Sequence, residues 1–281
     1  MKVFHSKKEL NQELSLIKDD GGSIGFVPTM GALHKGHISL VDESKKVTST
    51  TVASIFVNPT QFNDKGDLDN YPRNLKMDLE KLEAAGCNIV FVPSEREMYP
   101  ETDKRVFDFG DLATVMEGAH RPGHFNGVGQ VVSKLFDIVQ PHKAFFGQKD
   151  FQQVAIIRKL TEIMNTPVEV IACPIMREPH GLAMSSRNER LTKEQRENAA
   201  HIFKTLTEFS NKPADLDVES LKKNVIKKIN QNEYLEVEYF DIVDKDSLMS
   251  VKNWKESENI YGCIAVFCGQ VRLIDNIKFN L

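Results

Sequence analysis

Short apolar runs alternate with longer polar stretches that carry an apolar residue every three or four positions, as far as residue 172. The runs at 23–27, 52–57, 88–92, 143–146 and 167–172 read as strands buried on both faces. The stretches between them read as helices. One covers 6–18, with Ser6 as N-cap and Leu10, Leu14 and Ile17 on one face. Others run onward from His37, over 73–85 up to Gly86, over 130–139 and over 151–164. Strand and helix in strict alternation predict a Rossmann-like, doubly wound parallel α/β sheet of five strands. Residues 93–128 interrupt the rhythm with Pro, Gly and charge, and predict an excursion from the sheet with a short strand at 105–108. Beyond 175 the pattern changes to helices over 193–208 and 218–230 and strands over 235–243, 260–267 and 271–274. The last two strands are joined at Gly269, and 211–215 is a loop. The expectation is an N-terminal domain over 1–175 and a smaller α+β lid domain over 176–281.

The first strand leads into Pro28-Thr29-Met30-Gly31-Ala32-Leu33-His34-Lys35-Gly36-His37, after which a helical pattern starts. A strand-to-helix junction offers unpaired backbone N–H groups and the positive end of a helix dipole, so it attracts anions. Gly31 and Gly36 let a ligand come close. His34 and His37 can donate hydrogen bonds to phosphate oxygens and, when protonated, add charge. Two histidines could equally be half of a metal site. No third ligand or Cys pair stands at a metal-binding spacing, so the setting favours phosphate.

Three further stretches leave strands at their carboxyl ends, the edge where open α/β sheets bind ligands. Val57-Asn58-Pro59-Thr60-Gln61-Phe62 carries two amides that donate and accept, on what could also be a plain Asn-Pro turn. Phe146-Gly147-Gln148-Lys149-Asp150-Phe151-Gln152-Gln153 offers Lys149 to a polyphosphate and Asp150 to ribose hydroxyls. Gln153 lies on the same side of the first helical turn as Asp150, which is also a natural N-cap. Arg177 to Asn188 contains Gly181-Leu182-Ala183-Met184-Ser185-Ser186-Arg187, two hydroxyls and a guanidinium placed where a lid would hinge. Arg121-Pro122-Gly123-His124-Phe125-Asn126-Gly127-Val128 is a rigid polar loop to which the sequence assigns no chemistry.

Composition narrows the partners. The chain has 281 residues, 41% hydrophobic and 27% charged, with a net charge of −4, so no basic field invites nucleic acid. No apolar run spans a bilayer, and Met1 to Lys8 lacks the apolar stretch of a signal peptide. Cys87, Cys173, Cys263 and Cys268 are scattered in apolar runs and read as buried free thiols of a cytoplasmic protein.

His34-Lys35-Gly36-His37 resembles the His-Ile-Gly-His signature of the nucleotidylyltransferase superfamily, and Met184-Ser185-Ser186-Arg187 resembles the Lys-Met-Ser-Lys-Ser loop that accompanies it. With Phe56-Val57-Asn58-Pro59-Thr60-Gln61-Phe62, the Arg121–Val128 loop, the Gly147–Gln153 loop and the closing Arg272-Leu273-Ile274-Asp275-Asn276, these pieces resemble the pantothenate synthetase family. The resemblance implies an ATP-dependent ligase that joins pantoate to β-alanine through a pantoyl adenylate, releasing AMP and pyrophosphate, and that works as a homodimer. It implies an ATP site at Met30, Gly31, Ala32, Leu33, His34, Lys35, Gly36, His37, Gly147, Gln148, Lys149, Asp150, Met176, Met184, Ser185, Ser186 and Arg187. Of these, His34, His37, Lys149, Ser185, Ser186 and Arg187 are the expected catalytic groups. Gln61 and Gln153 would bind pantoate, with Gln61 also bordering β-alanine. Mg²⁺ would ride on the triphosphate, with no protein metal site. The family usually has Asp where His180 stands. Competing readings are a transferase adenylylating a phosphate acceptor, which would want a basic acceptor pocket instead of two glutamines, and a nucleotide-sensing module lacking phosphate ligands.

Overall fold

The computed structural model describes residues 1–62, 65–211 and 216–280; most of the loop expected at 211–215 therefore lies outside the described residues. Six parallel strands form the main sheet: β1 (Lys2–Phe4), β2 (Ile24–Thr29), β3 (Thr50–Ile55), β4 (Ile89–Phe91), β5 (Lys143–Gly147) and β6 (Glu169–Cys173), in the spatial order β1-β4-β3-β2-β5-β6. Five were expected. The sixth, β1, is a three-residue edge strand beside β4, too short and too exposed to announce itself as an apolar run.

Among the described residues there are ten α-helices, in chain order: α1 (Lys7–Asp19), α2 (Lys35–Val47), α3 (Lys65–Asp69), α4 (Leu75–Ala84), α5 (Glu95–Met98), α6 (Glu117–His120), α7 (His124–Val139), α8 (Phe151–Ile163), α9 (Lys193–Ser210) and α10 (Val218–Ile229). Alternate strand residues face opposite ways, so each strand feeds two cores. Phe26, Val52, Phe91 and Phe146 pack under α1, α7 and α8, against Leu10, Leu14, Val132 and Ile157. Val27, Ala53, Val90 and Phe145 pack under α2 and α4, against Leu40, Val41 and Leu82. This two-sided burial is why the strands read as unbroken apolar runs.

Two details of the excursion differ from expectation. Residues 105–108 form no strand. Their backbone is held by side-chain amides of α7 instead: Gln130 Nε2 donates to Arg105 O at 2.8 Å, and Phe107 N donates to Asn126 Oδ1 at 2.9 Å. And α7 begins at His124, six residues before the expected 130, because its glycines serve close packing and not a loop. A Cβ on Gly127 would lie 2.3 Å from Thr60 O.

The C-terminal sheet is antiparallel: β7 (Leu235–Asp244), β8 (Ile260–Cys268) and β9 (Val271–Lys278). α9 and α10 cover one face. The other, with Tyr239, Val243, Tyr261 and Cys263, packs on Met116, Phe151 and Ala155 of the N-terminal part. All four cysteines are free and buried, and Cys263 and Cys268 fall in the cores on opposite faces of β8. Among the described residues no helix is long and apolar enough to cross a membrane.

Candidate active site

In the strand order, β2 has β3 on one side and β5 on the other, so the winding direction reverses between β2 and β5. The loops leaving these two strands diverge and leave a crevice at their carboxyl ends. The histidine turn rises on one side of it and the Gly147–Asp150 turn on the other. Met30, His34, Gly36, His37, Gln61, Gly147, Lys149, Asp150, Gln153, Met176, Met184, Ser185, Ser186 and Arg187 all line this one cleft, although they come from five separate stretches of chain.

The histidines are held by the helix they begin. His34 is the N-cap of α2, and its Nδ1 accepts from Gly36 N at 3.1 Å; His37 Nδ1 accepts from His34 N at 3.2 Å. This reciprocal arrangement does with two imidazoles what a capping box does with Ser and Glu. It also sets the tautomer. A ring nitrogen that accepts a backbone N–H carries no proton, so each neutral ring bears its hydrogen on Nε2. Burial, followed by the charges of Lys149 and Lys81, pushes His34 down to about 4. Burial, followed by His34, Lys149 and Lys81, pushes His37 well below its ordinary range. Both rings are therefore neutral hydrogen-bond donors in the ligand-free protein, without the added charge that protonation would give.

Lys149 supplies charge. Its side chain is largely shielded from solvent, with the Asp150 carboxylate 4.0 Å from Nζ. Asp150 stands at the N-cap position of α8 but makes no capping bond, so the expected cap is absent and its carboxylate faces the cleft. Gln153, one turn on, has no hydrogen-bond partner for its amide among the described residues. Ser185 begins the short 3-10 turn Ser186–Arg190, its Oγ accepting from Arg187 N at 3.3 Å. Ser186 Oγ donates to Ala32 O at 3.2 Å, which ties this loop across the cleft to the histidine turn.

Several expected residues sit behind the cleft. Gly31, Ala32, Leu33 and Lys35 are not among its lining residues; Leu33 is in the core under α2, and Lys35 points outward. Gln148 reaches the C-terminal sheet, its Nε2 3.3 Å from Tyr261 Oη. The residues that hold the turn were not legible in the sequence. Buried Asp78 on α4 accepts from Ala32 N at 2.8 Å and Leu33 N at 2.7 Å, and Lys81 donates to Leu33 O at 2.5 Å. Nothing in the local pattern separates these two from ordinary polar residues of an amphipathic helix.

The Arg121–Val128 stretch, expected as a loop but helical from His124 as the first turn of α7, also acquires a task. Arg121 donates to His124 Nε2 at 3.1 Å, which leaves Nδ1 protonated to donate to Gln61 O at 2.8 Å. Burial and Arg121 push His124 down to about 4, so it too is neutral. Buried Asn58 donates to Gln61 Oε1 and to Gly127 O, both at 3.2 Å, and accepts from Tyr99 Oη at 2.8 Å. Gln61 Nε2 meets Met30 Sδ at 2.9 Å. Gln61 is thus gripped at both its backbone and its side chain. His180 lies 3.6 Å from Glu178, whose carboxylate also takes both guanidinium donors of Arg196 at 2.8 Å and Asn188 Nδ2 at 2.9 Å. The usual Asp here would face that carboxylate with like charge.

A doubly wound sheet with paired histidines at one strand–helix junction and a Ser-Ser-Arg loop opposite defines a nucleotide-using enzyme of the nucleotidylyltransferase type. Comparison with known proteins makes this specific. The model of the family described as pantoate-beta-alanine ligase matches residues 2–278. A pantothenate synthetase of Bacteroides fragilis (strain YCH46) is 54% identical over 280 residues, covering 100% of this chain and 99% of the relative. One from Porphyromonas gingivalis (strain W83) is 50% identical over 100% of both chains. The crystal structure of pantothenate synthetase from Thermus thermophilus superimposes with a TM-score of 0.93 at 36% identity, covering 100% of both chains. That of pantoate-beta-alanine ligase from Francisella tularensis, complexed with beta-gamma ATP and beta-alanine, does so with 0.83 at 36% identity, over 99% of this chain and 97% of that one. The chain belongs to the pantoate–β-alanine ligase family, and it is an enzyme that joins pantoate and β-alanine to form pantothenate at the expense of ATP.

Proposed function

We propose that the reaction proceeds in two steps within the cleft between β2 and β5. A pantoate carboxylate oxygen attacks the α-phosphorus of ATP, the bond to the bridging oxygen breaks, and pyrophosphate leaves. The amine of β-alanine then attacks the acyl carbon of the pantoyl adenylate, loses a proton, and expels AMP. The observation that carries this reading is that the phosphate-directed donors and the two glutamines line one cleft. His34 and His37 offer neutral Nε2–H donors, Lys149 a charge, and Ser185 and Arg187 further donors from the opposite loop. Stabilising the crowded α-phosphate needs positioned donors more than covalent chemistry. Met176 and Met184 line the nucleotide side. Gln153, with its uncommitted amide, and Gln61, gripped by Asn58 and His124, bind pantoate, and Gln61 borders β-alanine. Ser186, whose hydroxyl is taken by Ala32 O, serves the ATP site by tying the loop. Gly31, Ala32, Leu33, Lys35 and Gln148 act as its supporting shell.

Mg²⁺ enters with the triphosphate as part of the substrate. The donor set fits this: Asp150 is an uncapped carboxylate facing the cleft beside Lys149, placed to meet a cation carried in on the phosphates. On this reading residues 1–175 are the base of the site and 176–281 its cover. The active form is a cytoplasmic homodimer joined through the N-terminal domain, as the family resemblance implies.

The two-step scheme is tested by isotope exchange. Labelled pyrophosphate is expected to enter ATP when pantoate is present and β-alanine is absent. His37→Ala is expected to depress that exchange by about two orders of magnitude, as removal of one preorganised donor does elsewhere. Exchange that strictly requires β-alanine would replace the scheme with a concerted three-substrate reaction.

A further inference from the structure

The two walls of the nucleotide cleft are distant in sequence, yet one dipeptide at the end of β9 bonds to both. Asn276 is 3% exposed. Its Nδ2 donates to Gln148 O at 2.9 Å and to Lys149 O at 3.1 Å, the two carbonyls on either side of the Lys149 amide. Asp275, 6% exposed, receives both guanidinium donors of Arg177 at 2.7 and 2.9 Å. Arg177 lies 3.6 Å over the Phe203 ring and donates to Gly181 O at 3.1 Å. It also pairs through its backbone with Ala183, one residue before Met184, so its position sets the course of the Met184–Arg187 loop. Asp275 Oδ1 further accepts from Asn276 N at 2.8 Å, which makes the dipeptide one rigid unit.

We propose that Asp275 and Asn276 are positioning residues for the nucleotide: they fix the Lys149 turn and the Arg177–Arg187 loop at a set separation, so that the triphosphate is gripped from both sides. Neither side chain lines the nucleotide cleft itself. Their chemistry suits the task. A carboxamide NH₂ has two hydrogens for two carbonyls, and a buried carboxylate with a bidentate Arg is directional where a surface pair is not. Were the dipeptide missing, Lys149 would retain its charge but lose its aim, and misplacement by about 1 Å costs a reaction of this kind up to about a hundredfold.

The inference rests on the reading of Lys149 as a triphosphate ligand, and a double-mutant cycle separates the two. Asn276→Ala, Lys149→Ala and the double variant are compared for pyrophosphate exchange, steady-state constants and thermal melting. Asn276→Ala is expected to raise the KM for ATP about tenfold and depress exchange, leaving the KM for pantoate within about twofold. In the Lys149→Ala background the same substitution is expected to change exchange by less than about twofold, because its target is gone. Additive losses, or equal rises in both KM values, would overturn the positioning role while leaving Lys149 in place. An inert Lys149→Ala would overturn the reading of Lys149 and, with it, the inference. Should Asn276→Ala fail to fold, isosteric Asp275→Asn replaces it, paired with Arg187→Ala and judged by the same criterion.

Discussion

At the scale of single residues, what matters at this site is where protons sit. His34 and His37 each spend Nδ1 on a backbone N–H, and both are buried near cations, so they meet the substrate as neutral donors. An imidazolium at either position would have to break its capping bond to carry its second proton. Heteronuclear NMR of the free enzyme is therefore expected to find the Nε2–H tautomer at His34 and His37 and the Nδ1–H tautomer at His124. None of the three should titrate between about pH 5.5 and 8. A ring of mixed tautomer, or one titrating near 6.5, would contradict the assignment. The sign of the stability effect follows. Each ring is neutral when folded and becomes charged below about 6.5 when unfolded, so its contribution is complete above that pH and is lost as pH falls below it, toward about 4 for His34 and His124.

At the scale of elements, α2 shows how a helix start becomes a binding surface. Gly36 is required there by space, not by its own φ. A Cβ would lie 2.8 Å from His34 Cε1 and 2.9 Å from Nδ1. Gly36→Ala thus pushes the His34 ring off its cap. Losing an N-cap bond costs about 1 kcal/mol, and replacing a helical Gly with Ala returns about 0.5–1 kcal/mol, so the two nearly cancel. The melting temperature is expected to move by no more than a few degrees while pyrophosphate exchange falls at least about tenfold. Loss of activity in step with loss of fold would show that Gly36 serves the helix alone. The strand-to-helix junction that holds His34 could be read from the chain, although the capping bond of its ring, with the helix beginning at Lys35, could not. Asp78 and Lys81 could not, because their role exists only once α4 is laid beside the turn.

At the scale of the whole molecule, the C-terminal sheet is fastened to the base by buried charge. Arg272 on β9 donates to both Glu117 oxygens at 2.7 and 2.8 Å and to Glu238 at 2.6 and 2.9 Å, and Tyr239 donates to Glu117 at 2.8 Å. Burial alone would raise the Glu117 carboxyl. The bonds and charge of Arg272, with Tyr239 and Arg121, reverse this and hold it down at about 2, against an ordinary 4.5. A carboxylate depressed in the folded state stabilises fully above its unfolded pKa and stops doing so as pH falls through the folded one. Glu117→Gln is expected to cost on the order of 3 kcal/mol at neutral pH. The gap to the unsubstituted protein should narrow from about pH 4.5 downward and close near pH 2. Denaturant unfolding of both proteins across that range measures it, and a gap independent of pH would remove Glu117 from the interface account. With Asn276, Asp275 and the apolar contact around Met116 and Cys263, this latch makes the sheet a fixed wall of the site.

Much of this is in the chain before it folds. Two-sided apolar runs announce strands covered by helices on both faces, and the histidine turn, the Gly147–Gln153 turn and the Ser185–Arg187 loop stand at strand ends in the right order. These are local signals, carried by residues within one turn of each other. Other features depend on registers between segments far apart in sequence. β1 is a strand only because β4 lies beside it, and Arg105 to Phe107 is not one because amides of α7 took its hydrogen bonds. Arg121 and His124 acquire their task from the backbone of Gln61, some sixty residues away, and Asp275 and Asn276 from loops about a hundred residues earlier. A hydrogen bond across such a distance leaves no periodicity in the sequence, because its geometry is set by packing that the sequence encodes only collectively.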